Sequence, residues 1–366
     1  MSGVRPIIVG GGPAGAMAAM MLARAGHDPL LLERRAVTGD AICGGFLSWR
    51  TLAQLDDAGI DVDALGGHLV RRLALCDATG ETVTPLPAPG VGLSRHALDI
   101  ALIGAAQADG VQVRRDAMVT HIGGHRVRLR GGETLAADAL FLATGKHDVR
   151  GVGPRTVGAD PELGLRVRLP ASAALAALVD DRIELHLFDR GYAGLVLQED
   201  GSANLCMAVR KSLLTDFGGD PVALIAGLAD RSAALAARLS GWSPRVPIDA
   251  IAQIPYGWRA TRTAPGLFRL GDQAGVISSL AGEGIGIALA SGRSAAQAWT
   301  SGGAAAAPAW QARFSRRIAR PMRVADAVKW AATHPHGQRI MRGIAVMPGA
   351  AALAARLTRI PYDLRD

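Results

Sequence analysis

Gly10-Gly11-Gly12-Pro13-Ala14-Gly15 stands between a short apolar run, residues 5–9, and a longer run rich in Ala, Met and Leu over residues 14–25. A G-x-G-x-x-G spacing is informative only in that context, with a strand before it and a helix after it. The first glycine makes a tight turn, and the second lets backbone come close to a pyrophosphate. The third lets helix and strand pack closely, while the helix start offers N–H groups and a positive dipole end. Glu33 closes a second strand, residues 29–33, 18 residues past Gly15, where an acid binds ribose hydroxyls. Strand, glycines, helix, strand and acid together predict a parallel βαβ unit holding a dinucleotide.

Downstream, the periodicity predicts a helix over residues 96–108 and a strand over 111–114. A meander of short alternating segments follows (119–122, 126–129, 134–136), and then a continuous apolar strand at 139–143. Residues 151–161 are rich in Gly and Pro, and 165–210 read as strands separated by turns. Residues 221–239 read as helical and 248–255 as extended; a strand returns at 267–270, and a glycine-punctuated helix runs over 283–299. Residues 301–308 read as a Gly/Ala linker before a helical tail.

Composition limits the partners. The chain has 366 residues, 49% of them apolar, so it can bury a large core, and neither disorder nor a disulfide miniprotein is consistent with it. Aromatics are only 4%, so close backbone packing is expected rather than a core of large rings. The three cysteines, Cys43, Cys76 and Cys206, suit neither a disulfide framework nor a metal site with short ligand spacing. A reduced, cytoplasmic setting is the simplest expectation. No apolar run approaches the ~20 residues of a membrane span. The formal charge is +8, and residues 301–366 hold all of it, with eleven basic and three acidic residues against 29 of each before them. No basic run is interleaved with aromatics, so nucleic acid is not an expected partner.

A second signal lies near the far end of the chain. Leu267-Phe268-Arg269-Leu270-Gly271-Asp272-Gln273-Ala274-Gly275 precedes Leu280-Ala281-Gly282-Glu283-Gly284-Ile285-Gly286. It resembles the Gly-Asp motif of flavoproteins related to para-hydroxybenzoate hydroxylase and geranylgeranyl reductase. The resemblance implies FAD, with Asp272 on the ribitol and Gly282, Gly284 and Ile285 beside the flavin. Gly10, Gly12, Pro13, Ala14, Gly15, Glu33 and Arg34 would form the adenosine and pyrophosphate side. Ser94-Arg95-His96 resembles the arginine-led helix start that contacts the cofactor, which makes Arg95 a cofactor contact. Cys43-Gly44-Gly45 resembles the segment that passes the isoalloxazine in the reductases, placing Cys43 and Gly44 at the ring. Residues 138–145, ending Ala143-Thr144-Gly145, resemble the segment that closes the FAD domain, and residues 116–119, with Val119, stand where backbone meets the adenine.

The implied fold is α/β: a Rossmann-like FAD-binding domain with a glutathione-reductase-type βαβ unit (1–150 and 262–300), an inserted β-rich substrate domain (151–261) and a C-terminal helical region (301–366). The implied activity is that of an FAD-dependent oxidoreductase. The leading expectation is a monooxygenase that hydroxylates an apolar or phenolic small molecule through a flavin hydroperoxide. The alternatives are an isoprenoid double-bond reductase and, from another class, a flavin-binding regulator without turnover. Thr144-Gly145-Lys146-His147 stands where the hydroxylases carry an Asp-Gly motif; Gly191-Tyr192-Ala193-Gly194-Leu195 keeps only the Tyr of the reductases' Tyr-x-Trp-x-Phe-Pro stretch; and the Trp-rich motif of flavin halogenases is missing. No second G-x-G-x-x-G is present, so electrons are expected from a docked NAD(P)H, a partner reductase or the substrate.

The other polar candidates are weaker. Tyr192, His186 and Arg210 lie in the inserted sheet, and His334-Pro335-His336 reads as a helix-ending loop rather than a metal site. No catalytic residue and no metal ligand is assigned. The tail alternates Arg313, Arg316, Arg317, Arg320 and Arg323 with Phe314, Ile318, Met322, Val324 and Val328. Packing against the body with the arginines outward is favoured over peripheral contact with an anionic membrane.

Overall fold

The computed structural model describes residues 5–345, 347 and 349–360. The βαβ unit forms where the sequence predicts it: β1 (Arg5–Val9), α1 (Pro13–Arg24) and β2 (Leu30–Leu32). Then come β3 (Phe46–Leu47), α2 (Trp49–Asp56), β4 (His68–Asp77), β5 (Gly80–Gly92), α3 (Arg95–Ala108) and β6 (Gln112–Arg114). The meander is β7 (Val119–Gly123), β8 (Arg126–Leu129) and β9 (Thr134–Leu142). The middle of the chain gives β10 (Glu162–Leu169), α4 (Ala173–Val179), β11 (Arg182–Phe188), β12 (Gly191–Leu197), β13 (Ala203–Arg210), α5 (Lys211–Asp216), α6 (Pro221–Ala229), α7 (Ala233–Arg238) and β14 (Ile248–Ile254). The chain closes with β15 (Leu267–Arg269), α8 (Gly284–Gly302), α9 (Ala307–Ala332), α10 (Pro335–Ala345) and α11 (Ala350–Leu357).

The strands form two sheets. The first has the order β6-β2-β1-β9-β8-β7, with β15 also on β9. Its β6, β2, β1, β9 and β15 pair in parallel, so both faces must be covered, and their near-continuous apolar runs answer that need. One face meets α1, α3, α8 and α9 through Ile8, Met17, Met20, Leu31 and Phe141, with Phe141 and Phe268 stacked at 4.8 Å. Small residues bring α1 against α8: a Cβ on Gly292 would lie 2.3 Å from the Ala14 carbonyl oxygen.

The second sheet has the order β14-β10-β13-β12-β11-β4-β5-β3. Residues 46–92, which the sequence places inside the first domain, supply three of its strands. The joint is the parallel pair β4–β11, in which Arg72 faces Arg182 and Cys76 faces His186. A pairing between strands so far apart in sequence leaves no local pattern to detect. The back of this sheet carries its own core with α4–α7, built on Val167, Leu195, Leu205, Leu224 and Leu235.

The tail departs from the expected linker. Residues 301–308 hold no coil: α8 runs to Gly302, a 3-10 turn spans Gly303–Ala306, and α9 starts at Ala307. Alanine is the best helix former, and Gly303, at φ +59°, makes the bend between the helices. Residues 221–239 form two helices rather than one, broken before the Ser232 cap of α7. A helix does end there, α9 at Ala332, but Pro335 and His336 open α10 instead of lying in a loop, since a proline at a first turn loses no hydrogen bond. Along α9, Phe314, Ile318 and Met322 are buried while Arg313, Arg316, Arg320 and Arg323 stay exposed. Residues 361–364 of the predicted tail lie outside the described residues.

Candidate active site

The two sheets and α9–α11 enclose a cavity of about 1140 Å³. Fourteen of the fifteen predicted cofactor residues line it: Gly10, Gly12, Pro13, Ala14, Glu33, Arg34, Cys43, Gly44, Arg95, Val119, Asp272, Gly282, Gly284 and Ile285. Gly15 lies beneath the turn instead, where a Cβ would fall 1.9 Å from the Gly10 carbonyl oxygen. Gly10 itself sits at φ +109°, and a Cβ there would meet the Ala143 oxygen at 2.4 Å. Both positions admit only glycine, Gly10 at the cavity edge and Gly15 where the helix packs beneath the turn.

Electrostatics at this end suit an anion. No side chain caps α1, whose N-terminal residues Pro13 and Ala14 border the cavity, so its free N–H groups face that space. Glu33 holds the turn: its Oε2 accepts from the Gly11 N–H at 2.8 Å and its Oε1 from the Arg35 N–H at 3.0 Å. Arg95 is no surface arginine. It grips Asp99 through two hydrogen bonds of 2.9 and 2.8 Å, and its Nη2 stands 3.3 Å from where a Gly12 Cβ would be. Burial and the cations Arg34, Arg35, Lys146 and Arg155 push the His147 pKa down, and its Nε2 lies 2.9 Å from Arg34 Nη2.

The other motif meets this one from across β9. Gly271 donates its N–H to Ser291 Oγ at 2.8 Å, anchoring the turn on α8. Asp272 does not cap a helix; its carboxylate lines the cavity 3.5 Å from Lys146 Nζ. The start of α8 also lacks a side-chain cap and borders the cavity through Gly282, Gly284 and Ile285. Two positive helix ends therefore converge on one elongated space. An FAD molecule, with its anionic pyrophosphate in the middle, fits this donor set.

Several liners had no motif to announce them. Asn204 on β13 donates its Nδ2 hydrogens to the carbonyls of Cys43 and Gly44, both at 2.9 Å, pinning the predicted ring-side loop to the second sheet. Cys206 lines the cavity too, and burial, with the nearby Cys43, pushes its thiol up to about 12. Tyr192 and Tyr256 both reach Ser279 Oγ, at 2.5 and 2.8 Å, and Tyr192 also accepts the Leu280 N–H at 2.8 Å. Burial holds both phenols well above their usual range. His186 points away: with Cys76 and Glu184 it forms a cluster behind the second sheet, where Arg238 already occupies the carboxylate at 2.8 Å. Arg210 does not line the cavity.

Past the cofactor residues the cavity continues between Leu73, Leu75, Ile183 and Leu185 of the second sheet and Val324, Val328, Met341 and Ile344 of the C-terminal helices. Apolar side chains dominate this half, with Arg320 and Arg323 of α9 also on its lining. Its existence depends on the tail, which folds back as a wall.

Comparison with known proteins accords with this geometry. Residues 4–128 match the model of an FAD binding domain. A menaquinone reductase of Mycolicibacterium smegmatis is 27% identical over 364 residues, spanning 93% of this chain and 87% of that protein. A menaquinone reductase of Mycobacterium tuberculosis is also 27% identical, over 98% of this chain and 92% of its own length. Among solved structures, the flavin-dependent brominase Bmp2 superposes with a TM-score of 0.80 at 18% identity, covering 97% of this chain and 93% of its own. PqsL of Pseudomonas aeruginosa, in complex with 2-aminobenzoylacetate, superposes at 0.71 and 18%, over 93% and 98%. Residues 4–128 thus form an FAD binding domain, the fold is that of these flavin-dependent enzymes, and the chain is an FAD-dependent oxidoreductase.

Proposed function

We propose that the chain reduces a carbon–carbon double bond in a long isoprenoid lipid, with electrons drawn from NAD(P)H or a partner reductase. The observation that carries this reading is the apolar passage between the second sheet and α9–α11. A compact phenol has no use for such a length of aliphatic wall, whereas a prenyl chain has no polar group to satisfy in it. The relatives of near-equal length named menaquinone reductase support a reductase over a hydroxylase.

In this assignment Gly12, the α1 N-terminus and Arg95 hold the pyrophosphate, and Glu33 binds the ribose. Arg34 and Val119 border the adenine. Asp272 takes the ribitol, while Cys43, Gly44 and the α8 start flank the ring system. Bound FAD would supply hydride transfer, which no side chain can. The second alkene carbon needs a proton. Tyr192, protonated at every working pH and linked through Ser279 to Tyr256, is the hydroxyl group we assign to hold it.

The test is a single anaerobic turnover of the reduced holoprotein with a polyprenyl quinone, read by mass spectrometry. A chain that gains two hydrogens, with flavin reoxidised and no O2 consumed, is the expected result. An oxygenated product formed only after O2 is admitted would move the assignment to hydroxylation. Conversion of the quinone ring alone to the quinol would overturn the side-chain assignment.

A further inference from the structure

The C-terminal helices carry an apolar surface that the packing of the body does not use. Among the described residues, ten large apolar side chains are exposed, and five of them (Trp330, Ile340, Ile344, Met347 and Leu353) fall within 24 residues of the tail. Elsewhere such residues are scattered singly, which needs no explanation; a cluster does. The cluster coincides with an opening. Ile340 and Ile344 also line the cavity, together with Met341, Ala351 and Ala354, so the apolar passage reaches the surface through this patch.

Charge frames it. Arg313, Arg316, Arg320 and Arg323 recur at helical spacing along one stripe of α9, all exposed, and Arg320 and Arg323 also line the cavity. Between residues 307 and 360 the sequence holds ten basic residues and one acidic residue, Asp326. A second copy of this chain would bring a like-charged stripe against it. A bilayer with anionic headgroups would not, and it would also accept the apolar side chains beside them. No single described helix is long and apolar enough to cross a membrane, but α10 and α11 together have that composition and are bent by 115°. An amphipathic helix, α10, followed at such an angle by the Ala/Leu-rich α11 suits a segment lying in one leaflet's interface.

We propose that α10 and α11 dock this protein on an anionic lipid bilayer, with the α9 arginines on the headgroups and the cavity mouth facing the acyl region. The docking stands on the surface alone; the further idea that a lipid substrate enters there rests on the isoprenoid reading above.

The test uses flavin-loaded protein and sedimentation with vesicles of phosphatidylcholine, with or without phosphatidylglycerol, in the absence of substrate. Binding to the anionic vesicles that weakens with salt is expected. The double variant Met347→Glu, Leu353→Glu and the double variant Arg313→Glu, Arg316→Glu should each lower partition about tenfold or more. None of these four residues lines the cavity, so flavin content and turnover of a short-chain, detergent-free substrate should stay at wild-type level. Wild-type protein that remains in the supernatant with anionic vesicles overturns the proposal. So does a concentration-dependent dimer that Leu353→Glu dissolves while vesicles fail to bind. Because the sedimentation needs no turnover, loss of the reductase reading would leave its outcome untouched.

Discussion

Arg359 and Glu283 form a buried ion pair, Nη1 to Oε2 at 2.9 Å, with side chains 4% and 0% exposed. One partner precedes α8 on a loop that lines the cavity; the other is among the last described residues. Arg359 also donates to the Ala281 carbonyl at 2.5 Å and lies over the Trp49 ring at 4.9 Å, while Arg50 donates to the Ile360 carbonyl at 2.8 Å. The tail that walls the apolar passage is thus fastened to the cavity-lining loop that leads into α8.

Replacing Arg359 by Met strands the Glu283 carboxylate in a site whose burial already pushes its pKa up. The expected loss is about 3–5 kcal/mol, the range for breaking one side of a buried pair. Thermal unfolding with and without FAD measures it, and Arg359→Met combined with Glu283→Gln should recover a large part. An unchanged midpoint in the single variant would show that the pair does not fasten the tail.

The glycine turn makes a graded prediction. Gly15→Ala places a methyl against the Gly10 oxygen at 1.9 Å, a backbone clash that only movement of the whole turn relieves. Gly12→Ala meets only the end of the Arg95 side chain at 3.3 Å, which can shift. Flavin content of the purified variants should therefore fall severely for Gly15→Ala and mildly for Gly12→Ala. Equal retention would remove the close approach as the reason for the third glycine.

Tyr192→Phe takes an acceptor from the Leu280 N–H and a partner from Ser279. The stability cost should be about 1–3 kcal/mol for the group left unpaired. If Tyr192 holds the transferred proton, single-turnover reduction slows while flavin affinity stays within about twofold. A slowed reaction with a parallel loss of flavin would make the residue a support for the loop alone.

These residues also show what the sequence could reveal. The βαβ unit was legible because glycine turn, helix and strand periodicity are local, and Glu33 and Asp272 sat at fixed offsets from their glycines. Asn204, Tyr256 and Arg359 were not, because each acquires its place through a pairing with a distant segment. The same limit hid the second sheet: β4 and β5 alternate like any half-buried strand, and nothing in that alternation names β11 as the neighbour. The tail was legible as amphipathic helix, yet its role as a cavity wall depends on the two buried atoms that meet at Glu283.

Behind the second sheet, Glu184 is fully buried and accepts from His186 Nε2 at 3.1 Å and Arg238 Nη2 at 2.8 Å. Burial works against its charge, but the hydrogen bonds from His186 and Arg238 prevail, and its pKa lies below the usual glutamate value. A carboxylate depressed in the folded state stabilises that state fully above its unfolded pKa of about 4.3, and the contribution disappears as pH falls through the folded value. Glu184→Gln should therefore cost stability at neutral pH, and the gap to wild type should close on acidification below about pH 4. The cost should be nearer about 1–3 kcal/mol than the figure for Glu283, because Arg238 keeps Glu81 as a second partner at 3.0 Å. Urea unfolding at neutral and acid pH reads both quantities. A gap that stays constant with pH would mean that Glu184 is not ionised in the folded protein.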